Sequence, residues 1–176
     1  MAPRSDATVT FLDTASRARA SFTLDPALVP LTGRWAGYPM TVARRIARNF
    51  PHARRGADLA LASDLPSASG MSSSSALVVA TFLALAEANE LQATDAWREH
   101  LATPEALAEY LGCIENGQSF GPLAGDRGVG TFGGSQDHTA IVCCRAGHVS
   151  RYSFAPVTFE GATPWPDGVE LVVAVS

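Results

Sequence analysis

Apolar and polar residues alternate from Ala7 to Leu12 and again from Arg19 to Leu24. A period of two marks half-buried strands, so these runs predict a hairpin closed across Asp13 to Ala18. After a connecting loop from Asp25 to Gly33 the period changes. Trp35, Tyr38, Val42, Ile46 and Phe50 fall at intervals of three and four, which predicts an amphipathic helix stopped by Pro51. Its Arg44, Arg45 and Arg48, followed by Arg54 and Arg55, are expected to form a solvated basic face. Ala57 to Ser63 alternates again and predicts a strand. The Ala- and Leu-rich segment from Ala76 to Glu90 predicts a helix.

Thr94 to Leu101 and Thr103 to Asn116 predict shorter helices. Thr103-Pro104 is a start signal for the second of these and Gly117 a stop. Between Gly117 and Gly134 the chain is dense in glycine and poor in apolar residues. Compact domains usually keep such long loops for function or leave them disordered. Ser135 to Cys144 resumes an apolar pattern, and His148 to Phe154 and Val169 to Val175 read as strands. The element order predicts an α+β fold, a mixed sheet with helices on one side. The run Leu171 to Ser176 reads as a buried-type strand ending without cap or tail, so the sequence is expected to be a fragment.

One stretch stands out for chemistry: Leu65-Pro66-Ser67-Ala68-Ser69-Gly70-Met71-Ser72-Ser73-Ser74-Ser75-Ala76-Leu77. It lies between a predicted strand and a strong predicted helix. Gly70 allows a tight turn or a close approach to a ligand. First-turn amides without intrahelical partners, the positive end of the helix dipole and a row of hydroxyls make a cradle for phosphate oxygens. Serine-rich runs are often flexible linkers, but a linker has no reason to sit between a strand and an apolar helix. The chain contains no lysine, so this is not a Walker A loop. A phosphate site here must use amides, hydroxyls and a metal.

Bulk properties narrow the field. At 176 residues and 47% apolar composition, one domain with a sizeable core is expected. A net charge of −4 argues against nucleic acid as the main partner. Cys113, Cys143 and Cys144 are odd in number, with one vicinal pair, and do not form a disulfide framework. No apolar run approaches a membrane span and the N-terminus lacks a signal-peptide pattern, so a cytoplasmic chain without membrane partners is expected.

Two carboxylates have informative settings. Asp137 opens an apolar segment after Gly133-Gly134-Ser135-Gln136, where an acid ordinarily complements a helix dipole. Glu115 sits at the end of its helix, against that dipole, and a residue placed against local preference hints at function. Phosphoryl transfer needs a metal ligand beside the phosphates and a group that orients or deprotonates the acceptor. Either acid could serve either role on spacing alone, and His138 could act as a base.

Three segments together resemble the galactokinase branch of the GHMP small-molecule kinases. Pro66-x-x-x-Gly70-Met71-Ser72-Ser73-Ser74-Ser75-Ala76-Leu77 resembles the family's second motif, its ATP-phosphate loop. Arg34-Trp35-Ala36-Gly37-Tyr38 is similar to a segment whose tryptophan lines the adenine pocket. Gly134-Ser135-Gln136-Asp137-His138 resembles the Gly-x-x-Asp-Gln element carrying the catalytic aspartate, with His138 in place of glutamine. Glu115 corresponds to the magnesium-binding glutamate, although the loop between it and Asp137 is longer than galactokinases usually have.

The resemblance implies a two-layer N-terminal domain akin to ribosomal protein S5 domain 2, with ATP and Mg2+ as cofactors and a sugar as substrate. It implies that Gly70, Met71, Ser72 and Ser73 hold phosphate and that Ser74 and Glu115 coordinate magnesium. It further implies that Trp35 touches adenine and that Asp137 faces the sugar hydroxyl, giving a sugar 1-phosphate. The family's first motif has no match and would precede Ala7; the third would follow Ser176. Residues 1–176 are then a partial N-terminal domain lacking the C-terminal one, expected to be inactive by itself and prone to self-association. A rival reading within the family is a non-catalytic sugar- and nucleotide-binding regulator. Retention of both acids favours the enzyme.

Overall fold

The computed structural model describes residues 1–65, 70–131 and 133–172. Strands β2 (Thr8–Asp13) and β3 (Arg19–Thr23) form the expected hairpin, with Val9 opposite Phe22 and Phe11 opposite Ala20. Helix α1 (Gly37–Asn49) then crosses over, and β4 (Ala57–Leu61) returns parallel to β2. A two-residue strand β1 (Ala2–Pro3), which sequence patterning did not predict, pairs antiparallel with β4. The sheet is therefore mixed, in the order β1-β4-β2-β3.

Alternation along the strands divides the sheet's two faces. Val9, Phe11, Phe22, Ala57 and Leu59 are buried. The opposite face carries Thr10, Asp58 and Arg4, joined by hydrogen bonds in solvent. Helices cover only the apolar face. The central one, α2 (Ser73–Ala88), buries Val78, Phe82, Leu85 and Ala86 completely and shares a core with α1 and with α4 (Pro104–Asn116). Phe82 stacks on Trp97 and meets Tyr110 edge-on, with ring centroids 6.0 and 5.6 Å apart. Burying each such side chain contributes about 2 kcal/mol.

Caps fall where the sequence placed them. Thr94 accepts from the Trp97 amide to open α3 (Asp95–His100), Thr103 accepts from the Ala106 amide to open α4, and Gly117 closes α4 at φ 81°. Among the described residues no helix is long and apolar enough to cross a membrane.

The apolar pattern at Ser135 to Cys144, left without an element by its spacing, is a helix, α5 (Gln136–Cys143), packed on α4 and α2. Other expectations require correction. The strand His148 to Phe154 is present as β5, but its partner is the adjacent β6 (Val157–Pro164) in a separate two-stranded sheet. Residues 169–172 are not a strand: the Trp165 indole N–H donates to the Val169 carbonyl at 2.7 Å, fixing a turn, and Leu171 and Val172 are exposed. The remainder of that expected strand, residues 173–176, lies outside the described residues.

The basic face on α1 also fails in part. Arg54 and Arg55 are exposed, but Arg44 and Arg45 are 8% and 2% exposed. Both guanidiniums turn inward to bind the glycine-rich loop.

Candidate functional site

The start of α2 is built to leave donors free. Gly70 has φ +73°, and Ser72, at the N-cap, has φ 52°, a left-handed conformation that serine rarely adopts. Among the described residues no side chain caps this helix, and none accepts a hydrogen bond from the Ser73, Ser74 or Ser75 amides. Such a terminus suits an anion. Pro66, Ser67, Ala68 and Ser69 of the serine-rich stretch lie outside the described residues.

Ser73 and Ser74 line a cavity of about 1350 Å³. Its other walls come from the segment before α1, including Trp35, from Tyr38 and Arg44 of α1, from the end of β4, and from residues 126–131 of the glycine-rich loop. Trp35 stands edge-on to Phe11, with ring centroids 6.2 Å apart, so a core strand fixes the indole at the cavity wall. Met71 is 41% exposed beside the loop's turn.

Ser75 points the other way. It is buried, and its hydroxyl lies 3.0 Å from Glu115 Oε2 and 3.5 Å from Asp137 Oδ2. One hydroxyl proton can serve only one acceptor at a time, and the shorter contact favours Glu115. Glu115 is buried, whereas Asp137 on the first turn of α5 is exposed. His138 is 2% exposed, with Nε2 3.0 Å from Glu115 Oε2. Gly112 makes this meeting feasible: a Cβ there would come within 2.9 Å of Ser135 Cα, so α4 and the start of α5 touch backbone to backbone.

Sequence reasoning named Glu115 and Asp137 but not the serine that joins them. The signal was available: Ser75 shares a helical stripe with Val79, Phe82 and Ala86, all buried. Ser74, expected beside Glu115, instead faces the cavity, and no hydrogen bond between the two is present among the described residues.

The glycine-rich loop is firmly attached. Arg44 Nε lies 2.6 Å from Asp126 Oδ2, and Arg44 also donates to the Arg127 carbonyl. Arg45 donates to the Gln118 carbonyl, and Asn49 to the Ala124 carbonyl at 3.2 Å. The Val129 amide donates to the Glu115 carbonyl at 3.0 Å, which ties the loop to the acid's own backbone. Burial pulls the Arg44 pKa below its ordinary value, opposed by the charge of Asp126. The guanidinium remains a cation.

Comparison with known proteins follows the same contours. The family profile described as GHMP kinases N terminal domain matches residues 37–122, from the start of α1 past Glu115. A galactokinase of Chloroflexus aggregans is 33% identical over 178 residues, covering 99% of this chain and 39% of the relative. Over residues 37–122 the chain is a match to the GHMP kinase N-terminal domain, and over nearly its whole length it is galactokinase-like.

Among other similar proteins, a Streptomyces coelicolor galactokinase is 35% identical over 116 residues, 65% of this chain and 24% of the relative. A galactokinase of Actinobacillus pleuropneumoniae is 41% identical over 58 residues, 33% of this chain and 15% of the relative. The chain spans well under half the length of these relatives. Within the GHMP match lie Ser72 to Ser75 and Glu115; Trp35 and Asp137 fall on either side of it.

Proposed function

We propose that the chain carries the nucleotide and metal side of an ATP-dependent sugar kinase, galactokinase-like, which transfers the γ-phosphate of ATP to a sugar hydroxyl and yields a sugar 1-phosphate. The observation that carries this reading is the junction at Ser75. One buried hydroxyl brings a buried carboxylate and an exposed carboxylate to the first turn of an uncapped helix. The names of the relatives supply the substrate class.

In this reading the amides at the start of α2, with Gly70, Met71, Ser72 and Ser73, receive phosphate oxygens. Trp35 lies against the adenine. Ser74, on the cavity side of the turn, and Glu115, behind Ser75, would hold Mg2+ between them without touching each other; magnesium takes one or two protein oxygens and completes its shell with phosphates and water. Among the described residues no group of three or more His, Cys, Asp or Glu side chains forms a dedicated metal cage, which suits an ion that arrives with its nucleotide. Magnesium, when bound, neutralises charge on the transferring phosphoryl group. Asp137, exposed beside Ser75, orients the acceptor hydroxyl and takes its proton. The glycine-rich loop, locked by Arg44 and Arg45, keeps the opposite wall in place, because this chemistry depends mainly on positioning.

The test is calorimetric titration of Mg-ATP and of metal-free ATP into the wild-type chain, Ser74→Ala and Glu115→Gln. The reading expects both variants to lose affinity for Mg-ATP far more than for metal-free ATP. Equal loss with and without magnesium would remove these residues from the metal shell.

A further inference from the structure

His138 stands where the resembling motif has glutamine, and the site as proposed gives it no task. It is 2% exposed, yet Nδ1 has no hydrogen-bond partner among the described residues. Nε2 sits 3.0 Å from Glu115 Oε2 in a bent contact, at hydrogen-bond distance but off the hydrogen-bond angle. Leaving a buried polar group poorly satisfied costs about 1–3 kcal/mol. A core position with no other duty would favour an apolar side chain of similar size.

The distribution of contacts on Glu115 supplies a reason. The Ser75 hydroxyl and His138 Nε2 both meet Oε2. The described residues place no hydrogen bond on Oε1. A carboxylate bonded by the serine and flanked by the imidazole on one oxygen has its rotamer restricted from that side, which leaves its second oxygen as the one to serve as a ligand. Ser75 alone is a weak anchor, because its single proton is also within 3.5 Å of Asp137 Oδ2. An imidazole N–H 3.0 Å from Oε2 needs only a small rotation to donate to it, and would keep Glu115 oriented when the serine turns toward Asp137.

We infer that His138 is a positioning residue for Glu115, anchoring Oε2 so that Oε1 is presented to a divalent cation. This rests on the metal reading above and extends it to a residue that touches neither nucleotide nor sugar. Outer partners of this kind typically set metal affinity by 10- to 100-fold. The backbone supports the geometry: His138 follows Ser135 on α5, and α5 is drawn onto α4 where Gly112 permits contact.

The experiment uses the chain labelled with 15N-histidine and Mn2+ as probe in the presence of ATP, with bound Mn2+ read by electron paramagnetic resonance. In the wild type, long-range 1H–15N spectra should show His138 carrying its proton on Nε2, with signals that move in Glu115→Gln. His138→Ala should weaken Mn2+ binding roughly tenfold or more, and His138→Gln, whose amide can also donate, should recover most of it. Wild-type affinity in His138→Ala, set beside a loss in Glu115→Gln, overturns the role of His138 while sparing the metal reading. Unchanged affinity in Glu115→Gln overturns both. Should His138→Ala fail to fold, His138→Leu, which fills the site but cannot donate, takes its place: a loss of roughly tenfold that His138→Gln does not share supports the inference, and wild-type affinity in His138→Leu contradicts it.

Discussion

Two glycine- and serine-rich loops face each other across the same cavity and are built on opposite plans. The turn into α2 leaves its groups unspent: Ser72 is left-handed, no described side chain caps the helix, and Ser73 and Ser74 line the cavity. The loop from Gly117 to Thr131 is bound nearly everywhere, by Arg44, Arg45, Arg48 and Asn49 of α1 and by its own turn between Phe120 and Leu123. Composition alone does not separate them. What separates them is whether a neighbouring helix supplies partners for the loop's carbonyls. One loop is a wall tied to α1, and the other, on the reading proposed above, is the receptor for phosphate.

Their glycines give the sharpest contrast, and the largest expected effect. A Cβ on Gly128 would lie 2.2 Å from the Glu115 carbonyl oxygen and 2.6 Å from the Gly117 amide nitrogen. Backbone cannot step aside, so Gly128→Ala should cost about 3 kcal/mol, lowering the melting temperature by roughly 6–12 °C. A small shift in a thermal melt would mean that the loop is not locked.

Next in size is the ionic lock. Arg44→Met leaves Asp126 in a nearly buried site with Arg48, 3.1 Å away, as its remaining partner. Breaking a buried pair ordinarily costs about 3–5 kcal/mol; the surviving partner reduces this to about 2. Urea denaturation of the variant, alone and combined with Asp126→Asn, should show strongly non-additive losses. Simple additivity would contradict the pairing.

The receptor side should respond less in stability. Ser75→Ala removes one hydrogen bond to a buried carboxylate and should cost about 1.5 kcal/mol by the same denaturation. Gly70→Ala places its Cβ in open space, with nothing within 4 Å among the described residues, but at φ +73°. Its expected cost, about 1 kcal/mol, is conformational strain alone. A cost for Gly70→Ala above that for Gly128→Ala would invert the comparison.

Much of the fold was legible because period and caps are local properties. The β2–β3 hairpin, α1, α2 and the Thr94, Thr103 and Gly117 caps follow from patterns a few residues long. Strand β6 escaped because Gly161 and Pro164 interrupt its pattern, and the apolar run after Pro166 imitates a strand while the Trp165 indole holds a turn there. The arginines were misread for a different reason. A guanidinium on a helix looks like a solvated charge until a distant loop provides carbonyls and an aspartate, and nothing near Arg44 in sequence announces Asp126. At the candidate site, Glu115 could be singled out because it opposes its helix dipole. Ser75 was overlooked beside three more conspicuous serines, and the pairing of His138 with Glu115 depends on the close approach of α4 and α5.

The most direct test of this two-loop account is hydrogen exchange of individual backbone amides in the 176-residue chain, with and without Mg-ATP. The account predicts that Gly125 and Val129, whose amides are already bound to Ser119 Oγ and the Glu115 carbonyl, exchange slowly in both conditions. It predicts that Ser73, Ser74 and Ser75 exchange quickly without nucleotide and become protected when Mg-ATP is added. Fast exchange at Val129, or no nucleotide-dependent protection at Ser73 to Ser75, would contradict it.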